Sequence, residues 1–298
     1  MSFIWTNSTK SGLCDRLIDL FIIAATAKLY NKELYLFWEE QPINDIQQNI
    51  WNKIRFNDYK IENVIQYFNF PDIIHFVSKE VLIEMSNHHE NNIIFNNYLG
   101  GIYSPITFYE NFIDKTYTLE EYLNTFSSII NKFTPTEKLL NLIKNLPENI
   151  ISTHLRRTDK SLIYISPEHT HGVPLEQLHI LDNNTKDIIN KLILKGSNNL
   201  YFSSDCPNTK LLYEKEFGNY NIINLNFDSI EQTYIDIYIM SISKYIIMSQ
   251  KHTSFSLFAS LINKSILIYL YENDILHNNK YYLFENIIYY KKLDIINE

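Results

Sequence analysis

The chain has 298 residues, of which 45% are hydrophobic and 20% charged, and a formal net charge of −8. That length suits two domains better than one and supplies material for a sizeable core. The acidic balance argues against nucleic acid as a partner, which calls for a basic face. Two cysteines, Cys14 and Cys206, are too far apart for a disulfide framework or a zinc site.

The first residues lack the charged-then-apolar layout of a signal peptide. The longest apolar stretch, Leu17 to Leu29, is broken by Asp19 and Lys28 and is too short to span a bilayer. The expected setting is therefore soluble and cytoplasmic. Phe3-Ile4-Trp5 reads as a strand and Asn7 to Gly12 as a polar loop. Leu13 to Tyr30 follows as a helix buried on one face, and Leu34 to Trp38 as the next strand. This order has the size of a βαβ unit. Backbone N–H groups at Gly12 can face an anion at the helix start, or the glycine can serve only a tight turn.

Residues 42–133 are less legible. Residues 73–77 and 92–95 read as short strands, 97–105 as a loop, and Leu119 to Phe133 as a helix. Thr134-Pro135-Thr136-Glu137 has the cap, proline and acid of a helix start, predicting a helix to about Leu146 that Pro147 closes. The domains then divide as 1–147 and 148–298.

In the second half, residues 149–153 form a strand, and a helix follows over 182–194. A strand at 199–204 leads through Asp205-Cys206-Pro207 into a helix over 208–217, stopped by Gly218. Residues 220–225 read as a strand, 230–241 as a helix, 245–248 as a strand, 254–261 as a helix and 266–270 as a last strand. Strands alternating with helices predict a parallel, doubly wound α/β sheet.

The stretch His154-Leu155-Arg156-Arg157-Thr158-Asp159-Lys160 stands where the first strand of this half runs into a loop. Ligands of open α/β sheets bind outside the carboxyl ends of the strands. Side chains alternate along extended chain, so one arginine can face a ligand phosphate while the other turns to a partner such as Asp159. The planar guanidinium suits either task. Asp205 and the run Ser249 to Ser256 fall at two further strand ends. Together these residues suit a nucleoside diphosphate, with arginine on the phosphates and Thr253, Ser254 or Ser256 on their oxygens. Asp205 and the serines can equally be helix caps. The absence of a glycine-rich phosphate loop disfavours ATPase-type chemistry.

These motifs resemble those of the GDP-fucose fucosyltransferases of the α1,2/α1,6/protein-O type. The His154 to Lys160 stretch is similar to the first motif, most closely in the α1,6 and nodulation branch. Leu200-Tyr-Phe-Ser-Ser-Asp-Cys-Pro resembles the second motif. The third is resembled by Asp236-Ile-Tyr-Ile-Met-Ser-Ile-Ser-Lys-Tyr with Thr253-Ser-Phe-Ser. Ser11-Gly-Leu-Cys-Asp-Arg-Leu resembles the N-terminal glycine loop. The likeness spans residues 149–270 and, more weakly, 11–38.

The resemblance implies a GT-B-like fold of two Rossmann-like doubly wound domains facing across a cleft. The first would be the acceptor side and the second would bind the nucleotide sugar, with the last residues able to pack back on the first domain. It implies an inverting glycosyltransferase, with GDP-fucose and a glycan acceptor as partners and neither metal nor cofactor. Arg156 and Arg157 would be the arginine pair, with Arg157 assigned to the phosphate. His154 and Asp205 would lie by the nucleoside, and Ser254 and Ser256 by the phosphates. Asp159, Lys160, Thr253, Phe255 and Gly12 complete the expected donor site. Two departures stand out. Cys206 occupies a place where the family often has a second acid, which bears on guanine recognition. Tyr164 stands where the α1,6 branch has its catalytic Glu; Glu168, His169 or His171 can replace it, or the reaction can proceed without a side-chain base. The rival readings are a different nucleotide sugar and an inactive sugar-nucleotide or glycan-binding module.

Overall fold

The structure, a computed structural model, describes residues 2–7, 12–40, 60–88, 92–95, 104–156, 175–225, 229–249, 253–270 and 280–290. The chain divides into two compact units, Met1–Leu142 and Ile143–Glu298.

In the first unit, β1 (Ser2–Asn7), α1 (Leu13–Leu29) and β2 (Glu33–Trp38) form a βαβ unit. With β4 (Ile74–Phe76) and β5 (Ile93–Phe95) these strands make a parallel sheet in the order β4-β2-β1-β5. The sequence predicts one buried face for α1. Instead every residue from Leu13 to Ala27 except Asp15 is buried, because α5 (Leu119–Ile130) covers the side away from the sheet. A helix apolar all round belongs in a core. Tyr122 of α5 donates to the Ile22 carbonyl of α1 at 3.3 Å, and burial raises its phenol pKa.

The one buried cation of this helix is held by the fold itself. Arg16, 1% exposed, donates from Nε to Asn7 Oδ1 and from Nη2 to the Glu39 carbonyl, each at 2.8 Å. Its guanidinium lies 3.8 Å from the centroid of the Trp38 ring. It thereby ties the carboxyl ends of β1 and β2 to the start of α1, where a lone buried charge would cost many kcal/mol.

The helices α2 (Ile61–Tyr67), α3 (Lys79–His88) and α4 (Pro105–Phe112) complete the described part of this unit, with a two-stranded antiparallel ribbon. That ribbon corrects an expectation. Thr134-Pro135, read as a helix start, is strand β6, pairing with β3 (Phe68–Asn69). The helix behind it, α6, spans Glu137–Leu142 and stops short of Leu146. Thr136 starts it, its carbonyl accepting from Leu140 N–H. The ribbon is held because Phe133, 1% exposed, stacks on Phe68 at 4.4 Å and meets Phe21 and Phe70 edge-on.

The second unit is a six-stranded parallel sheet in the order β12-β11-β10-β7-β8-β9. Its strands are β7 (Ile150–Leu155), β8 (Asn199–Ser204), β9 (Asn221–Ile222), β10 (Tyr245–Met248), β11 (Ile266–Tyr269) and β12 (Ile287–Tyr289). One face carries Ile151, Leu155, Leu200, Phe202, Ile247 and Ile268 against α7 (Leu175–Leu194) and α8 (Pro207–Glu216). The other is covered by α9 (Ser229–Ile242) and α10 (Ser254–Asn263). Three boundaries differ most from expectation. β7 runs on through His154 and Leu155, α7 begins seven residues before Asp182, and β9 keeps two of the six residues read as strand. Among the described residues, no helix is long and apolar enough to cross a membrane.

Phe133→Ala removes the ring at the centre of the aromatic cluster and should cost about 3–5 kcal/mol. Denaturant unfolding measures it; Phe133→Leu should cost less, and equal losses would show that the stacking adds nothing.

Candidate functional site

Because the second sheet is wholly parallel, its carboxyl ends share one edge. Arg156 follows β7 there, Asp205 and Cys206 follow β8, and Ser249 follows β10. Serine hydroxyls lace these ends together. Ser249 Oγ donates to the His154 carbonyl and Ser204 Oγ to the Leu155 carbonyl, both at 2.6 Å. Ser204 Oγ also accepts from the Cys206 N–H at 3.1 Å. The last two carbonyls of β7 are thus satisfied by side chains where the ladder stops.

Residues opposite one another in the register share a face. His154 pairs with Ser203 on one side and Met248 on the other, and Ser152 pairs with Tyr201. So Ser152, His154, Tyr201 and Ser203 all point to the α9/α10 layer, away from the apolar face. Each meets a polar partner there. Ser152 bonds Ser243 just past α9. Tyr201 and Ser203 both donate to the Asp236 carboxylate, which also accepts from Gln232 Nε2 at 2.6 Å. His154, 8% exposed, has its Nδ1 3.0 Å from Thr253 Oγ1 and 3.2 Å from Ser256 Oγ, with the Phe255 ring 4.9 Å from its own.

The expected donor residues therefore fall into distinct places. His154, Thr253, Phe255 and Ser256 come together, with Ser254 in the same helical turn and half-buried. Thr253 and Ser256 turn their hydroxyls to the imidazole, and Thr253 makes no side-chain cap bond to its helix. Asp205 is exposed and is not the N-cap of α8; Cys206 is. Arg156 is half-buried at the strand end. Gly12 belongs to the first unit, where its N–H donates to Asp15 Oδ2 at 3.2 Å, so the chain's own acid takes the role foreseen for an anion. Its φ of −65° is open to any residue, so no tight turn demands glycine. Arg157, Asp159, Lys160, Tyr164, Glu168, His169 and His171 lie outside the described residues. Among the described residues, no group of three or more His, Cys, Asp or Glu is placed to hold a metal ion.

Asp236 received no role from the sequence, although it opens the third motif. Its signal was available: an acid set among Tyr234, Ile235, Ile237 and Ile239 in a helix cannot be solvated and must find donors. Burial pushes its carboxyl above the ordinary range, and the bonds from Ser203, Tyr201 and Gln232, with the Lys210 charge, offset this only in part. Burial, then the neighbouring carboxylate, drives the Tyr201 phenol far up in turn.

No protein-family model matches the sequence, and no curated protein matches it. Among solved structures, NodZ α-1,6-fucosyltransferase soaked with GDP-fucose is 14% identical, with 88% of this chain and 93% of that chain covered and a TM-score of 0.44. POFUT1 in complex with GDP-fucose is 12% identical over 88% and 93% of the two chains, with a TM-score of 0.48. Fucosyltransferase NodZ from Bradyrhizobium is 13% identical over the same shares, with a TM-score of 0.43.

The raised Asp236 pKa sets the sign of a pH effect. The folded chain keeps this proton where the unfolded chain has lost it. The stability it contributes is complete below the ordinary carboxyl pKa of about 4 and is lost as pH rises through the folded value. Asp236→Asn removes that dependence. Its stability relative to wild type should therefore rise as pH increases above about 4, as read from urea unfolding at a series of pH values; parallel curves would refute it.

Proposed function

We propose that the chain is an inverting, metal-independent glycosyltransferase that moves L-fucose from GDP-fucose to a glycan acceptor. The single observation that supports it best is the strand end itself. His154 and Leu155 end β7 at the carboxyl edge of the sheet, beside the first turn of α10, with Arg156 just beyond them, and serines fix these last two strand residues. That edge is where open α/β sheets take ligands, and a helix start favours phosphate.

In this reading Arg157 holds the β-phosphate, and Arg156 is the more replaceable of the pair. The acceptor hydroxyl attacks the anomeric carbon as the bond to GDP breaks, and its proton passes to a base. Glu168 is that base by residue type; His169 and His171 stand second. Arginine supplies positive charge where negative charge grows on the leaving group. His154 and Asp205 lie by the nucleoside, and Ser254, Phe255, Asp159 and Lys160 complete the donor contacts. Two residues favour the rival readings. Cys206, in place of a second acid, favours another nucleotide sugar, and Tyr164, in place of a glutamate, favours an inactive binding module.

Calorimetric titration should show GDP binding that EDTA leaves unchanged and that exceeds UDP binding. Loss in chelator would end the metal-free reading, and tighter UDP binding the GDP-sugar reading. Arg157→Ala should fold and lose turnover by roughly thirty- to several-thousand-fold, more than it loses donor affinity. Arg157→Lys should recover only part, because lysine keeps the charge without the fork. Full turnover in Arg157→Ala would transfer the role to Arg156. A nucleotide-release screen over several sugar nucleotides identifies the donor; Glu168→Gln at wild-type rate would remove Glu168 as the base.

A further inference from the structure

We propose that Thr253 and Ser256 are positioning residues that fix the ring angle and tautomer of His154, so that it meets the nucleotide as a hydrogen-bond donor. The placement of the ring stands on geometry; its donor role toward the nucleotide rests on the nucleotide-sugar reading above.

A threonine at a helix N-cap ordinarily turns its hydroxyl back to a free N–H of the first turn, which stabilises the helix by about 1 kcal/mol. Thr253 holds the N-cap of α10 and makes no such bond. Its Oγ1 lies 3.0 Å from His154 Nδ1, and Ser256, three residues on, brings its Oγ to 3.2 Å from the same nitrogen. The two hydroxyls are 2% and 0% exposed as residues, so water does not compete for them. A hydroxyl can donate or accept, but a neutral imidazole carries one proton on one of its nitrogens. We assign the hydroxyls as the donors to Nδ1, which leaves the ring proton on Nε2. The bond made by one ring nitrogen sets the tautomer of the other.

The rest of the residue is fixed as firmly. Ser249 donates to the His154 carbonyl at 2.6 Å, and the Phe255 ring stands 4.9 Å away at 36° to the imidazole. The first turn of α10 thus grips the side chain while the end of β10 grips the backbone. Contacts of this kind around a ligand-binding group hold it in one orientation and reduce what binding must order.

The test combines nitrogen-15 NMR of the histidine rings with GDP calorimetry. It uses full-length wild type, Thr253→Val, Thr253→Ser and Ser256→Ala, each also in a His154→Ala background. The ring signals of His154 are those that vanish in His154→Ala. Wild type should show one neutral tautomer protonated at Nε2. Thr253→Val and Ser256→Ala should give a tautomer mixture and about tenfold weaker GDP binding, and Thr253→Ser should restore both. In the His154→Ala background the same changes should have no further effect on GDP. An Nδ1–H tautomer in wild type, or tautomers unmoved by the substitutions, overturns the proposal. So does an affinity loss that persists without His154, since the hydroxyls would then act on the ligand directly. If wild type binds no GDP, the nucleotide reading fails, and the ring spectra still decide the positioning role.

Discussion

A strand at the centre of a parallel sheet has helices on both faces, so any polar side chain it carries must be satisfied inside the protein. β7 is such a strand. All six of its residues are buried, and three of them are Ser152, Thr153 and His154. The sheet meets this constraint by gathering most of these polar groups on one face, among the apolar Ile150, Ile246, Met248 and Leu267. Aliphatic and aromatic side chains pack against α7 and α8, while the face toward α9 and α10 carries Ser152, His154, Tyr201 and Ser203. Their partners, Ser243, Asp236, Gln232, Thr253 and Ser256, then fix where α9 and α10 sit. Thr153 is the exception. It lies on the apolar face, and its hydroxyl has no partner among the described residues.

The sequence reveals those elements whose signals are local. The βαβ start and the strands at 199–204 and 245–248 follow from apolar runs bounded by polar turns. It misleads where tertiary pairing outweighs a local signal. Thr134-Pro135 has the chemistry of a helix start but is drawn into pairing with Phe68-Asn69 by the Phe133–Phe68 stack. Asp182-Asn183-Asn184 looks like the beginning of a helix, yet it lies inside α7, where Asp182 accepts from Tyr213 of α8 at 2.7 Å. In the candidate site, the strand-end placement of His154 to Arg156 was readable because strand and loop differ in composition. That Thr253 and Ser256 serve the imidazole was not, because a hydroxyl at a helix start has the same sequence signature whether it caps, binds phosphate or supports a neighbour.

The two units use their carboxyl strand ends differently. In the first, Arg16 spends its guanidinium inside the fold, on Asn7, Glu39 and Trp38. In the second, uncharged serines close the strand ends, and Arg156 stands half-buried just beyond them. Neutral lacing of this kind satisfies the strand-end carbonyls without committing a charged side chain to them.

Strand length follows a pattern across both large sheets. The inner strands have four to six residues, whereas β4, β5 and β12 have three and β9 has two. Among the described residues these four are the outermost members of their sheets. Each described border is thus a ladder too short for a foreign strand to grip. A chain rich in isoleucine, phenylalanine and tyrosine is prone to strand-on-strand polymerisation, and abbreviated borders deny that process its template.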